Sequence, residues 1–130
     1  VKAPVRALRA RGIEYVEVRC LDVNPFTPLG IDVDTTALVD TFVLSCLLED
    51  SPLCTSHSRK IDNENNQRAL NQGRSPSLRL LDDEGNEQTV VEASASILMS
   101  MEATAELLDS ANQTSRHVEA VNAARSKIDG

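Results

Sequence analysis

The sequence has no tryptophan, and its aromatic complement is three residues, Tyr15, Phe26 and Phe42. Any core must rest on Leu, Val, Ile, Met and Ala, which bury less area per side chain than aromatic rings do. A chain of 130 residues suffices for one domain, but the expected core is modest. Positive charge is scarce too: 13 Lys and Arg stand against 20 Asp and Glu, a net charge of -7. That balance argues against a nucleic-acid partner, which needs a basic face. It leaves nucleotide binding open, because one or two local cations and Mg²⁺ handle a small phosphate ligand whatever the overall sign of the chain.

Long apolar runs are missing. The most apolar stretch, Ala37 to Leu48, is too short to span a bilayer and contains Asp40, so it reads as a buried helix and no membrane segment is expected. The three cysteines, Cys20, Cys46 and Cys54, are an odd number, show no CxxC spacing and follow no secretory-type leader. Reduced thiols in the cytoplasm fit that pattern. The chain begins with Val rather than Met and its first elements look like the middle of a fold, which suggests a fragment, taken as a single unit over 1–130.

Lys2 to Arg11 holds four basic residues and no acid, with Pro4 suited to a first helical turn and Gly12 placed as a terminator. From Ile13 to Val23 the period changes to two and β-branched residues dominate until Pro25 and Pro28, which predicts a strand. One face would carry Tyr15, Glu17 and Arg19; the other would carry Val16, Val18 and Cys20 and pack on helices. Asp34 is the expected cap of a helix through TTALVDTFVLSCLLED, with an apolar stripe of Leu38, Val39, Phe42, Val43, Cys46 and Leu47. Leu44 and Leu48 widen that stripe nearly all round, so the helix calls for contacts on several sides.

Ser51 to Ser56 reads as a loop, and the polar stretch beyond it as a helix ending at Gly73. Ser77 to Leu81 and Glu87 to Val91 flank DDEGN, a hairpin turn. Thr89-Val90-Val91-Glu92 has the form of a capping box, and Ile97, Leu98, Met101, Ala105 and Leu108 follow at helical spacing to about Asn112. A final helix spans about Ser115 to Ile128, with Val118, Val121 and Ile128 inward. No internal repeat and no low-complexity tract is found.

Glu17 and Arg19 need an explanation, because the strand already has an apolar face. Their Cα atoms should lie roughly 6.6 Å apart with side chains projecting the same way. One reading is a solvent-facing ion pair, which contributes at most about 1 kcal/mol. The other sets a hard oxygen ligand for Mg²⁺ beside a planar cation that can hold phosphoryl oxygens at two points, as phosphoryl transfer requires. Pattern leaves both open.

The run Gly12-Ile13-Glu14-Tyr15-Val16-Glu17-Val18-Arg19-Cys20-Leu21-Asp22-Val23-Asn24-Pro25-Phe26, continuing through Pro28 and Gly30, resembles the glutamate-cysteine ligases of proteobacteria. The similarity runs on more loosely through the apolar helix after Asp34, Gly73 to Pro76, and Leu107-Leu108-Asp109-Ser110. The resemblance implies an α+β fold related to glutamine synthetase: one long strand of an antiparallel, funnel-shaped active-site sheet over 12–30, then a short hairpin and several packing helices in a mainly helical portion over 34–130.

The activity so implied begins glutathione biosynthesis. ATP phosphorylates the side-chain carboxylate of L-glutamate, and the amine of L-cysteine attacks the acyl phosphate. By the same resemblance Glu17 would be a Mg²⁺ ligand, with Mn²⁺ as the alternative ion, and Arg19 would contact the transferred phosphoryl as a catalytic and nucleotide-binding residue. Tyr15 would line the nucleotide or substrate pocket, with packing as its competing role. The other ligands would lie outside this chain, so the chain by itself is expected to be inactive.

Other candidates carry less. Cys20 is expected to be a buried, inert thiol, since no His is placed to activate it. Cys54 and His57 have C-x-x-H spacing, yet a zinc site needs four ligands and His117 lies far along the chain. Asp82, Asp83, Glu84 and Glu87 lack calcium-loop spacing and read as a solvated turn, and the remaining Arg and Lys as unpaired surface. Two alternatives stay open: a ligase that couples glutamate to another amine, and a non-catalytic helical interaction module in which Glu17 and Arg19 are only a surface pair.

Overall fold

The computed structural model describes residues 4–129. In chain order these form α1 (Pro4–Arg11), α2 (Val33–Leu48), α3 (Ser56–Gln72), β1 (Arg79–Leu81), β2 (Glu87–Thr89), α4 (Val90–Asn112) and α5 (Arg116–Asp129). The class is α+β, with one two-stranded antiparallel sheet among the described residues. The chain divides into two compact units, 1–31 and 32–130.

In the first unit α1 stops where Gly12 enters the left-handed region at φ +74 and donates its N–H to Leu8 O at 2.8 Å. The strand expected over Ile13–Val23 is not formed: residues 12–23 carry neither helix nor strand, and all of them are exposed. Alternation prepares a segment for a ladder but cannot supply its partner, and the described strands pair only with each other. Val16 is therefore 63% exposed and Cys20 is an exposed free thiol, not the buried one its alternation implied.

The second unit is built on α2, α4 and α5. Leu98, Met101, Ala105 and Val121 form its core, with Leu38, Val118, Ala124 and Ile128 packed against them. The expected inward stripe of α2 is corrected in part: Leu38 packs on the core, but the stripe does not form the buried face. Its buried residues are Ala37, Thr41 and Ser45, one per turn, whereas Phe42 is 42% and Leu47 77% exposed. Small side chains let the helix approach its neighbours closely, and the buried hydroxyls bond back onto their own helix: Thr41 donates to Ala37 O at 2.8 Å and Ser45 to Phe42 O at 2.9 Å. With apolar residues nearly all round, hydrophobicity alone did not select a face. The cap is Asp32, not Asp34: the Asp32 carboxylate accepts from Thr35 N at 2.7 Å.

α3 is polar and joins the hairpin through side chains. Asn65 receives the Leu81 N–H at 2.7 Å and donates to Leu81 O at 2.8 Å, standing in for a third strand at one residue. Arg68 reaches Glu64 and Glu87 and donates to Arg79 O at 3.1 Å. Hydrogen bonding to Glu64, then Glu87, raises its pKa further. With Arg11 beside Glu14 and Arg125 beside Glu102, Arg68 shows that the cations are not all unpaired surface.

The hairpin registers Arg79 with Thr89 and Leu81 with Glu87. Asp82 holds its turn by accepting from Glu84 N and Asn86 N. Thr89 ends β2 and caps α4: its hydroxyl accepts from Glu92 N at 3.0 Å while Glu92 receives the Thr89 N–H at 2.7 Å. No helix among the described residues is long and apolar enough to cross a membrane.

Candidate functional site

The segment that carries Glu17 and Arg19 is anchored at both ends. Gly12 closes α1 on one side. On the other, Asn24 to Gly30 folds into a closed turn in which Asn24 N donates to Gly30 O at 2.7 Å and Asn24 Oδ1 accepts from Phe26 N at 3.0 Å. Gly30 has φ +74, a conformation that favours glycine, and a Cβ there would meet Val23 Cγ1 at 2.8 Å unless that exposed side chain rotated.

Between these anchors the Arg19 guanidinium donates to Glu17 Oε2 at 2.8 Å. The two side chains meet in this ion pair although no strand is formed there, and remain 80% and 54% exposed. An exposed pair of this kind contributes little to stability, at most about 1 kcal/mol. Tyr15 is 78% exposed. All three residues expected to form the site thus lie in one short, open segment with their polar groups available.

Glu17 offers one carboxylate, which suits a hard divalent cation as a single member of a larger ligand set, since Mg²⁺ is commonly held by one or two carboxylates together with waters and substrate phosphates. Among the described residues no group of three or more His, Cys, Asp or Glu side chains gathers to hold a metal.

A second cluster, at the α4–α5 turn, was not expected as a site. Asp109 is 6% exposed and accepts four hydrogen bonds: from Thr114 Oγ1 at 2.6 Å, His117 Nδ1 at 2.7 Å, His117 N at 3.1 Å and Val118 N at 2.9 Å. One carboxylate thus caps the start of α5 from the end of α4 while Gln113 turns the chain at φ 54. Burial acts to raise the Asp109 pKa, but the Thr114 hydroxyl, the Val118 N–H and the two His117 donors outweigh it and hold the group well below the usual carboxylate range. An ionised Asp109 is an acceptor only, so Nδ1 of His117 carries the proton.

His117 borders a cleft of about 490 Å³ whose walls also include Thr36, Ala37, Asp40, Asn112 and Arg116. The sequence held one clue to this cluster. A carboxylate in the last turn of a helix opposes the helix dipole, so Asp109 needed a compensating role.

The glutamate-cysteine ligase family model matches residues 1–69, more than half of the chain and all of the segment that carries Tyr15, Glu17 and Arg19. The chain is 41% identical over 125 residues to the glutamate-cysteine ligase of Janthinobacterium sp. (strain Marseille), covering 96% of this chain and 24% of that protein. To the enzyme of Pseudomonas fluorescens (strain Pf0-1) it is also 41% identical over 125 residues, covering 23% of that protein. The crystal structure of the glutamate-cysteine ligase of Francisella tularensis in complex with AMP superposes with a TM-score of 0.80 at 31% identity, over 96% of this chain and 24% of that one. The chain spans about a quarter of the length of these relatives. By sequence and by fold it belongs to the glutamate-cysteine ligase family.

Proposed function

We propose that the chain contributes a wall of the active site in the ATP-dependent ligation of L-glutamate to L-cysteine, the step that opens glutathione biosynthesis, in the cytoplasm. The observation that carries this reading is the family match across the segment in which Glu17 and Arg19 stand paired and exposed. Use of ATP is supported by the AMP held by the Francisella tularensis relative.

Glu17 is one carboxylate ligand to Mg²⁺, or to Mn²⁺ in its place. When bound, the ion neutralises nucleotide phosphate charge and acts as a Lewis acid at the transferring group. Arg19 donates two parallel N–H bonds to the oxygens of the transferred phosphoryl and stabilises the charge that develops there, which a lysine could not match because a point charge lacks the planar fork. The same arginine restrains the Glu17 carboxylate in the orientation that the ion-pair geometry shows. Tyr15 lines the nucleotide or substrate pocket. The remaining ligands come from sequence outside this chain, so the chain alone is inactive.

The test is made in a full-length ligase that carries this segment. Arg19→Lys and Glu17→Gln should each lower kcat for phosphate release that depends on ATP, glutamate and cysteine by about a hundredfold or more, with an unchanged melting temperature. Full activity in both variants would instead assign the pair to the surface. Replacing cysteine with other amines tests the choice of acceptor in the same assay.

A further inference from the structure

We propose that the cleft formed by α2, the α4–α5 turn and the start of α5 binds a free α-amino acid as its zwitterion, with the ammonium on Asp40 and the carboxylate on Arg116. This goes beyond the ligase reading, which rests on residues of the 1–31 unit.

The cleft, about 490 Å³, has the size of a small-molecule site. It holds one carboxylate, Asp40, and one guanidinium, Arg116, and these do not meet: neither side chain has a hydrogen-bond or ion-pair partner among the described residues. Two opposite charges that share a cleft without pairing leave room for a ligand between them. A bare anion gains little here, because Asp40 repels it and Asp109 already occupies the N–H groups of His117 and Val118 at the helix start. A bare cation faces Arg116 in turn. A single ligand that carries both signs can pair with both groups at once.

The surroundings are prepared for such a guest. The His117 ring is held by Asp109 at 2.7 Å and cannot swing away. Asn112 spends its Nδ2 on Leu108 O at 2.8 Å, which leaves its Oδ1 as an acceptor. The guanidinium gives a carboxylate two-point geometry, so orientation as well as charge is recognised.

The experiment is an amide NMR titration of the 130-residue chain with glycine and with L-glutamate, using acetate and ethylammonium as single-charge controls. Both amino acids should produce saturable shifts at Asp40, Asn112 and His117. Asp40→Asn and Arg116→Gln should each weaken binding about tenfold or more, as should removal of either ligand charge, whereas Lys127→Gln should not. Asp40 and Arg116 are exposed, so both variants are expected to keep the fold, which circular dichroism checks. Absence of a saturable shift up to about 10 mM, shifts of equal size with acetate, or titrations unchanged in both variants would overturn the assignment.

Discussion

Asp109, in the last turn of α4, and His117, in the first turn of α5, are bound twice, through the imidazole at 2.7 Å and through the backbone N–H at 3.1 Å. The pair joins two helices whose facing residues, Met101 and Val121, are each 2% exposed. Replacing the carboxylate by a methyl group leaves four donors without their acceptor at the edge of that core. Asp109→Ala should lower the melting temperature by on the order of 5 °C or more, and Asp109→Asn by less, because the amide keeps one acceptor oxygen. Thermal unfolding followed by circular dichroism checks both.

The same carboxylate gives stability a pH dependence of definite sign. Its folded pKa lies below the ordinary value of about 3.9, so its stabilisation is complete above that value and is lost progressively as pH falls below it. Glu92, held down first by the Thr89 N–H and then by the Thr89 hydroxyl, acts in the same direction. Urea unfolding from pH 6 downward should show stability falling from about pH 4, with a shallower fall in Asp109→Asn. An unchanged slope in that variant would remove Asp109 from the account.

Asn65 replaces a strand partner at Leu81 with two hydrogen bonds from one side chain. Asn65→Ala should cost about 1–3 kcal/mol in urea unfolding. It should also speed hydrogen exchange at the Leu81 amide while leaving the α4 amides protected.

The packing of α2 predicts an inversion of the usual rule for apolar residues. Ala37→Leu or Ser45→Leu, which add apolar atoms, should destabilise the chain by about 1–3 kcal/mol because the buried line of small residues has no room. Leu47→Ser removes apolar atoms from a side chain that is 77% exposed, and it should change the denaturation midpoint little.

Glu17→Gln and Arg19→Lys should leave the unfolding midpoint of this chain within error of the parent, since the pair is exposed and the turn beyond it is closed by backbone bonds and Gly30. A clear loss of stability would show that the pair holds the segment together.

Signals carried between residues no more than four positions apart were legible in the chain itself. The Thr89–Glu92 capping box, the DDEGN turn, the stop at Gly12 and the extents of α4 and α5 all follow from backbone groups satisfied by near neighbours, and the structure forms them where the residues indicate. The pairing of Arg19 with Glu17, two residues apart, needs no distant partner either.

What only the tertiary structure decided depends on partners distant in sequence. Strand alternation over Ile13–Val23 could not provide a neighbouring strand, and hydrophobicity spread around α2 could not choose between its faces; close packing chose Ala37, Thr41 and Ser45. Asn65 meets Leu81 sixteen residues on and Asp109 meets His117 eight residues on, contacts that exist only once helices and hairpin have docked. Propensity acts along the chain, whereas burial and the pairing of polar groups act across space, and the latter placed Asp40, Arg116 and His117 around one cleft.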